Sequence, residues 1–571
     1  MKKTKRQPEA KPEVKAVPQP GIAWLPGGVW WPWAAGIAGL IVVFQIYAPA
    51  LNAAFVLDDR YLPYFSAHTS DRFSDWVGLV RPLLMASYWI NYAIAGGSEP
   101  FGFHVTNVLI HFMTAVMAGL IVAKLVEWAG VTGRMRAALG VISCALFLVH
   151  PLQVEAVAYT SGRSDALSTL FYYAAFTVFL YRRKESIGLL EAFGVLVLFG
   201  AAIGSKENTL TLPALLLLTD YFWGRGSLMK NRILYGLLAI AGAIGAKMVW
   251  NIIRNQQTAG FKTEGMTPVT FFFTECRVTW TYIRMFFLPF GQNVDPDVPI
   301  SQTVIDHGAI VGLIALVGLM GAAWIYRKQF PLAAFGVFVF LLLSAPTSSF
   351  VPIKDVMSER RVYLPMIGLL LICCEVLRRL TYSRVVQIGA IALVVCSVLT
   401  YKRSEIWASP LTLWTDAVSK SPNKYRPQFQ LGFAQFERAQ CPAAVRSFEA
   451  ASRLQAADNE LLVDWALALD CAGRQAEAID KLKQALQFGE TAHIHTQIAR
   501  VYMRQQQWQG ALAELARAQQ LDPNYDMTYL YRGNIYQISG DRQAAAREIQ
   551  RALQLNPDNQ VARQALAELA K

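Results

Sequence analysis

What most constrains this chain is a succession of apolar runs, each close to the roughly 20 residues that a helix needs to cross the hydrocarbon of a bilayer. They fall near 31–51, 105–127, 137–150, 165–181, 187–204, 207–222, 232–252, 308–325, 331–346, 361–378 and 385–401. Lipid offers no water to a stray peptide group, so such segments must be helices or strands of a closed barrel. Their length selects helices, and the expectation is an all-α, polytopic bundle of about eleven spans. Over 571 residues, 54 % hydrophobic and 16 % charged side chains fit a membrane protein of more than one domain.

The loops between the runs differ in charge, and this sets the orientation. Arg134 and Arg136, Arg182 with Arg183 and Lys184, Arg225 with Lys230 and Arg232, Arg327 with Lys328, and Arg378, Arg379 and Arg384 occupy alternate loops. With residues 1–30, read as a disordered Lys-rich tail, they belong in the cytoplasm by the positive-inside rule. The other loops hold Asp58 and Asp59, His150 to Asp165, Ser205 to Glu207, Asp295 to Asp297, and Lys354 to Arg361. These face outward, and an odd number of spans puts the C-terminal part on the same outer side. The segment 271–289 carries Glu275, Arg277 and Arg284 and would reverse the charge pattern if it crossed. It is read as re-entrant or surface-lying, and 76–95 as an amphipathic helix of the first outer loop. The first run is longer than a signal-peptide core and lacks a small-residue cleavage site, so a retained helix is expected. The net charge of +13 is scattered in short clusters, which speaks against a nucleic-acid partner.

After a linker over 404–424 the apolar runs give way to a period. Small residues recur at Gly432, Ala466, Ala499 and Gly533, at Ala444, Ala478, Ala511 and Ala545, and at Ala451, Ala485, Ala518 and Ala552. Steps of 34, 33 and 34 residues are the tetratricopeptide pattern, in which paired antiparallel helices approach closely at small side chains. The region 425–571 should therefore be an α-solenoid with a concave face for polypeptides, or a purely structural cap. The 7 Cys show no CxxC pair and no metal-ligand spacing. Cys441 and Cys471 leave a disulfide possible without supporting it.

Four outward clusters could carry chemistry. Asp58–Asp59 follows the first span directly. His150 and Glu155 precede Arg163 and Asp165; Lys206 and Glu207 sit between two spans; Glu359 and Arg360 open the tenth. Any one of these is explained by Lys and Arg snorkelling towards headgroups. All four on one side suggest a polar cavity for a phosphorylated lipid. No phosphate-binding glycine loop, serine-nucleophile elbow or zinc-ligand pair is present.

The order of Asp58–Asp59, Arg81-Pro82-Leu83, His104 to Asn107, His111, His150-Pro151 to Glu155, Gly162-Arg163-Ser164-Asp165, Ser205-Lys206-Glu207, and Glu359-Arg360 to Pro365, followed by the repeats, resembles the transmembrane and tetratricopeptide-repeat O-mannosyltransferases of the GT-C superfamily. The resemblance runs from about residue 31 to the end, with residues 31–403 as the catalytic membrane domain and a short Lys-rich tail that looks bacterial. It implies inverting transfer of a sugar, mannose in this family, from a polyprenyl-phosphate carrier to Ser or Thr hydroxyls of exported proteins. Asp58, helped by Asp59, would be the general base, because a hydroxyl needs a proton acceptor at neutral pH. Arg360 is the first choice for the departing lipid phosphate, with Lys206, Arg163 and His150 behind it. Glu155, Glu207, Glu359 and Asp165 would support them. No cofactor is expected, and a divalent metal is left open. The implied partners are the lipid-linked sugar, acceptor polypeptides and membrane lipids, and the implied location is a bacterial inner membrane with the site outside.

Two other readings stay open: transfer to a lipid or glycan acceptor, and a non-enzymatic scaffold that recruits envelope proteins through the repeats.

Overall fold

The computed structural model describes residues 31–65, 72–78, 80–182, 186–224, 230–255, 259–263 and 265–569. Residues 1–30 and the basic residues Arg183, Lys184 and Arg225 lie outside these. Each anticipated run is a helix: Trp31–Tyr47, Pro100–Trp128, Gly133–Val149, Arg163–Leu180, Leu189–Ser205, Leu212–Trp223, Arg232–Asn255, Ala309–Ile325, Pro331–Ser344, Met366–Leu377 and Tyr382–Ile406. Apolar runs without competing polar groups satisfy their own backbone in this way.

The helices differ in length. Among the described residues five helices are by themselves long and apolar enough to cross a membrane, and a sixth arises if Gly133–Val149 and Pro151–Ala158, bent by 51°, form one span. At about 1.5 Å per residue, the 12 residues of Met366–Leu377 reach only about 18 Å. Such short helices are shielded by neighbours. Gly336 and Gly368 stand opposite each other, and a Cβ on either would strike the other's carbonyl oxygen. Gly119 and Gly140 let Pro100–Trp128 and Gly133–Val149 approach in the same way. Close approach at small residues is how helices associate where lipid removes the hydrophobic drive.

The helix Pro268–Phe287 lies across the face that carries Asp58. Along its length Glu275 stands 3.9 Å from Arg361, the Tyr282 hydroxyl accepts the Ser358 N–H at 3.1 Å, and the Phe286 carbonyl meets His150 Nε2 at 2.9 Å. Arg361 and Ser358 belong to the Glu359–Val362 turn and its N-terminal cap, and His150 follows Gly133–Val149. The first outer loop forms two helices, Phe73–Val77 and Pro82–Ala95, in place of one over 76–95.

The repeats form four antiparallel pairs, from Tyr425–Glu437 with Cys441–Leu454 to Asp526–Ile538 with Arg542–Leu555, and a closing helix Gln560–Leu569. The periodic small residues are the contacts: Ala444, Ala478, Ala511 and Ala545 are fully buried, and a Cβ at Gly432 would meet Phe448 at 2.8 Å. Cys441 and Cys471 are paired as a disulfide, with Cα atoms 5.7 Å apart.

The expected linker is structured. Pro410–Lys420 is a helix whose N-terminal Ser409 hydroxyl accepts the Thr412 N–H, and its Leu413, Trp414 and Ala417 are buried. This helix and the first repeat dock on the outer loops. The Asp295 carboxylate, 2 % exposed, accepts Lys424 Nζ at 2.5 Å and a two-pronged Arg426 at 2.6 Å, and Arg426 also reaches Asp355 at 2.7 Å. Asp295→Asn should weaken this docking by on the order of 2 kcal/mol, less than a fully buried pair because Lys424 and Arg426 remain about a third exposed. Faster hydrogen exchange over 288–300 and 421–437 would report it; unchanged exchange would mean that the apolar contacts suffice.

Candidate active site

The two adjacent acids occupy opposite environments. Both lie on a short 3-10 turn, Leu57–Tyr61, which points successive side chains in different directions. Asp59 turns inward and is 1 % exposed. It accepts the backbone N–H groups of Val56 at 3.2 Å and Ser161 at 2.8 Å, the Ser161 hydroxyl at 2.5 Å and the Tyr64 hydroxyl at 3.1 Å. Asp58 is exposed, with its backbone N–H fixed on the Tyr159 hydroxyl at 3.0 Å. Among the described residues no hydrogen bond engages its carboxylate. Leu57, just before it, has φ of +53°, a costly conformation for a branched side chain that the surrounding bonds must hold. Asp59 is therefore the strut of this turn, and Asp58 is the group it presents. A shared catalytic role for Asp59 does not suit four donors already aimed at its carboxylate.

Burial raises the Asp59 carboxyl to about 6, against hydrogen bonds that pull it down. A raised acid is taken up as the protonated form more readily by the folded chain than by the unfolded one. Its contribution is complete below about 4 and is lost as pH rises through about 6. The Val56–Leu62 turn should thus gain protection, corrected for intrinsic exchange, between about pH 6 and pH 4. Asp59→Asn should abolish that gain; a gain that persists would place the titration elsewhere.

Arg360 lies within electrostatic reach of Asp58 and belongs to a group of cations. Arg360 Nη1 donates to Glu155 at 2.6 Å, and its Nε lies 3.7 Å from Asp165. Glu155 is 1 % exposed and also accepts the Ser358 hydroxyl at 2.7 Å and the Arg360 N–H at 3.2 Å. Lys206 Nζ reaches the other Asp165 oxygen at 2.6 Å. Asp165 thus sits between Arg360 and Lys206 and draws them together. Despite burial, its acid neighbours, Glu155 first, hold Arg360 well above the usual guanidinium range, while burial pulls Lys206 down. Both keep an exposed edge, with side chains 23 % and 14 % accessible.

Sequence reasoning missed a third cation. Arg81 grips Glu207 with two bonds, at 2.9 and 2.6 Å, and its charge is felt at Lys206. Its φ of +63° is again a left-handed, non-glycine backbone. The available signal was the Arg-Pro pair opening the Pro82–Ala95 helix; nothing in its charge alone set it apart.

Two expected phosphate ligands lie elsewhere. His150 is buried, with Nε2 on the Phe286 carbonyl and Nδ1 accepting the Leu152 N–H at 3.2 Å, so it closes a turn and has no free nitrogen. Arg163 is fully buried, bound to Asn107 at 2.7 Å, Phe103 at 2.9 Å and Ser87 at 3.1 Å, with its guanidinium 4.6 Å from the Tyr88 ring centre. It ties three segments together from beneath the site. Glu359 is buried on Gln292 and Arg403, and through Arg403 and Asp416 it braces the docking helix. Among the described residues no group of three or more His, Cys, Asp or Glu is placed to hold a metal ion.

With this geometry in place, likeness to known proteins discriminates. The tetratricopeptide repeat family model matches residues 527–559. Drosophila melanogaster Tmtc1 is 34 % identical over 33 % of this chain and 23 % of its own length. Human TMTC4 is 24 % identical over 64 % of this chain and 57 % of its own length, and Drosophila melanogaster Tmtc3 is 22 % identical over 71 % and 51 %. These relatives are named protein O-mannosyl-transferases. The resemblance seen in the motifs is thereby supported. The matches span between 23 % and 57 % of these relatives' lengths. Among solved structures, the peptide-binding repeat protein YrrB is 18 % identical over 30 % of this chain and 86 % of its own, with a TM-score of 0.24, too low to carry an argument.

Proposed function

We propose that the chain is a membrane protein O-mannosyltransferase that moves the sugar from a polyprenyl-phosphate carrier to a Ser or Thr hydroxyl, with inversion. The observation that carries this reading is the pairing of an exposed, unengaged Asp58 with three partly exposed cations that converge on Asp165 and Glu207. A base without competing donors can take the proton of an incoming hydroxyl. Cations fixed in place stabilise the charge that grows on the carrier phosphate as its bond to the sugar breaks. Arg360 suits that role best because its planar fork matches a phosphate. Lys206 and Arg81 flank it. The attack of the hydroxyl on the far side of the sugar carbon, with the phosphate leaving opposite, gives inversion in one displacement.

The named activity of the relatives favours a polypeptide acceptor over a lipid or glycan one, as does the docking of the first repeat beside Asp58. A scaffold would need neither an unengaged acid nor a phosphate-sized cluster of cations. Purified protein, given polyprenyl-phosphate mannose and a Ser-containing peptide, should yield α- or β-linked product of the opposite anomer to the donor; retention would reject the single displacement.

The site face and the repeats belong outside the cytoplasm in this reading. The loop charges support it, and so does the Cys441–Cys471 disulfide, which persists in oxidising compartments. In intact bacterial cells the two thiols should resist maleimide until a reductant is added, and a cytoplasm-dependent reporter after Lys571 should stay silent. Free thiols together with an active reporter would invert the topology.

A further inference from the structure

A cleft of about 350 Å³ opens between the Asp58 turn and the first repeat. Phe55, Arg60 and Phe65 of the outer loop line one side, and Pro410, Phe433 and Glu437 the other. Phe65 is 48 % exposed. The Arg60 guanidinium lies 4.7 Å from the Phe433 ring centre and 3.9 Å from the Glu437 carboxylate, so its charge is balanced at the rim. The walls come from distant parts of the chain and are held in register by the Asp295 clasp on Lys424 and Arg426.

We propose that this cleft is an acceptor subsite that receives an aromatic side chain of the polypeptide, within about two residues of the hydroxyl presented to Asp58. The proposal rests on the transferase reading and adds a rule for which hydroxyls are chosen. Asp58 and Arg60 share one turn, where successive residues rise about 2 Å, and an extended peptide advances about 3.3 Å per residue. A side chain one or two positions from the acceptor hydroxyl therefore reaches the cleft. The three Phe rings offer edge and face contacts to a fourth, and Arg60 adds a cation to its face. Glu437 offsets Arg60, and Asp464 lies within its electrostatic reach, so no uncompensated positive charge draws an acidic side chain, and the outer edges of the pair can bond a passing peptide backbone. The carrier is not the occupant, because Arg81, Lys206 and Arg360 do not line this space.

The full-length protein in detergent is incubated with short peptides bearing one Ser and a photoreactive benzoylphenylalanine two residues before or after it. After irradiation, cross-links are mapped by mass spectrometry, and sugar transfer to the same peptides is measured separately. At least one peptide should cross-link within 54–65 or 433–437, be displaced by a Phe peptide and not by its Ala counterpart, and lose about tenfold in yield with Phe65→Ala, the loss expected for one aromatic contact. Phe65 stands on the membrane side and leaves the repeat core intact, whereas Phe433→Ala also removes packing within the repeat. Cross-links confined to other segments, or equal displacement by Phe and Ala peptides, would overturn the subsite. Mapped cross-links without sugar transfer would uphold the subsite and reject the transferase reading.

Discussion

Asp58→Asn should lower transfer by roughly 100-fold or more, the contribution typical of a positioned general base. The amide keeps the size of the carboxylate but cannot accept the hydroxyl proton. Donor affinity should hardly change, because the proposed mechanism gives the carrier phosphate to Arg360, Lys206 and Arg81 and not to Asp58. The neighbouring substitution gives the contrast. Asp59→Asn leaves Asp58 in place and can keep its amide oxygen on Ser161 and Tyr64, but its NH2 then faces the Val56 N–H, donor against donor, in a buried turn. Its signature should be lost stability and a disordered 55–65 turn, with turnover falling in proportion to the unfolded fraction. Turnover numbers per folded molecule, measured alongside thermal unfolding, separate the two. A near-normal rate for Asp58→Asn would remove the proposed base.

Arg360→Ala should produce the second large effect, on both donor affinity and turnover. In the proposed mechanism its charge meets the phosphate in the ground state and a larger charge as the sugar departs. Arg360→Lys should recover only part, since the two-pronged geometry is lost. Arg360 also neutralises the buried Glu155, so the Ala variant should lose stability as well. Arg361 is the control. Its guanidinium is turned away, donating to the Val356 and Asp355 carbonyls, with 8 % of the side chain exposed. Arg361→Ala should lower the melting temperature while leaving the donor KM of the folded fraction alone. The reverse ranking, with Arg361 setting KM and Arg360 silent, would move the phosphate clamp to another part of the face.

The parts legible in the sequence are those with a period or a strong compositional contrast. Apolar runs announced the helices, and the 34-, 33- and 34-residue steps of Gly432, Ala466, Ala499 and Gly533 announced the repeats, because close packing tolerates only small residues there. Loop charge gave a re-entrant or surface-lying reading for 271–289, but its contacts through Tyr282 and Phe286 to Ser358 and His150 carried no sequence signal. What stayed hidden depends on direction and distance. Asp58 and Asp59 are identical in sequence, and only the turn decides which of them is buried. Arg163 and His150 look like phosphate ligands until burial and carbonyl partners absorb them. Arg81 pairs with Glu207 across 126 residues, and Asp295 with Arg426 across 131, separations that carry no local signal. The 404–424 stretch reads as a linker because its apolar stripe, Leu413, Trp414 and Ala417, is short and meets its cover only in the folded chain.

The most direct measurement is mass spectrometry of exported polypeptides from cells that carry the wild-type chain, the Asp58→Asn chain or neither, with matched protein levels. Hexoses on Ser and Thr should be present with the wild type, and absent both with Asp58→Asn and without the chain. Equal hexose occupancy in all three would contradict the proposed transfer at Asp58.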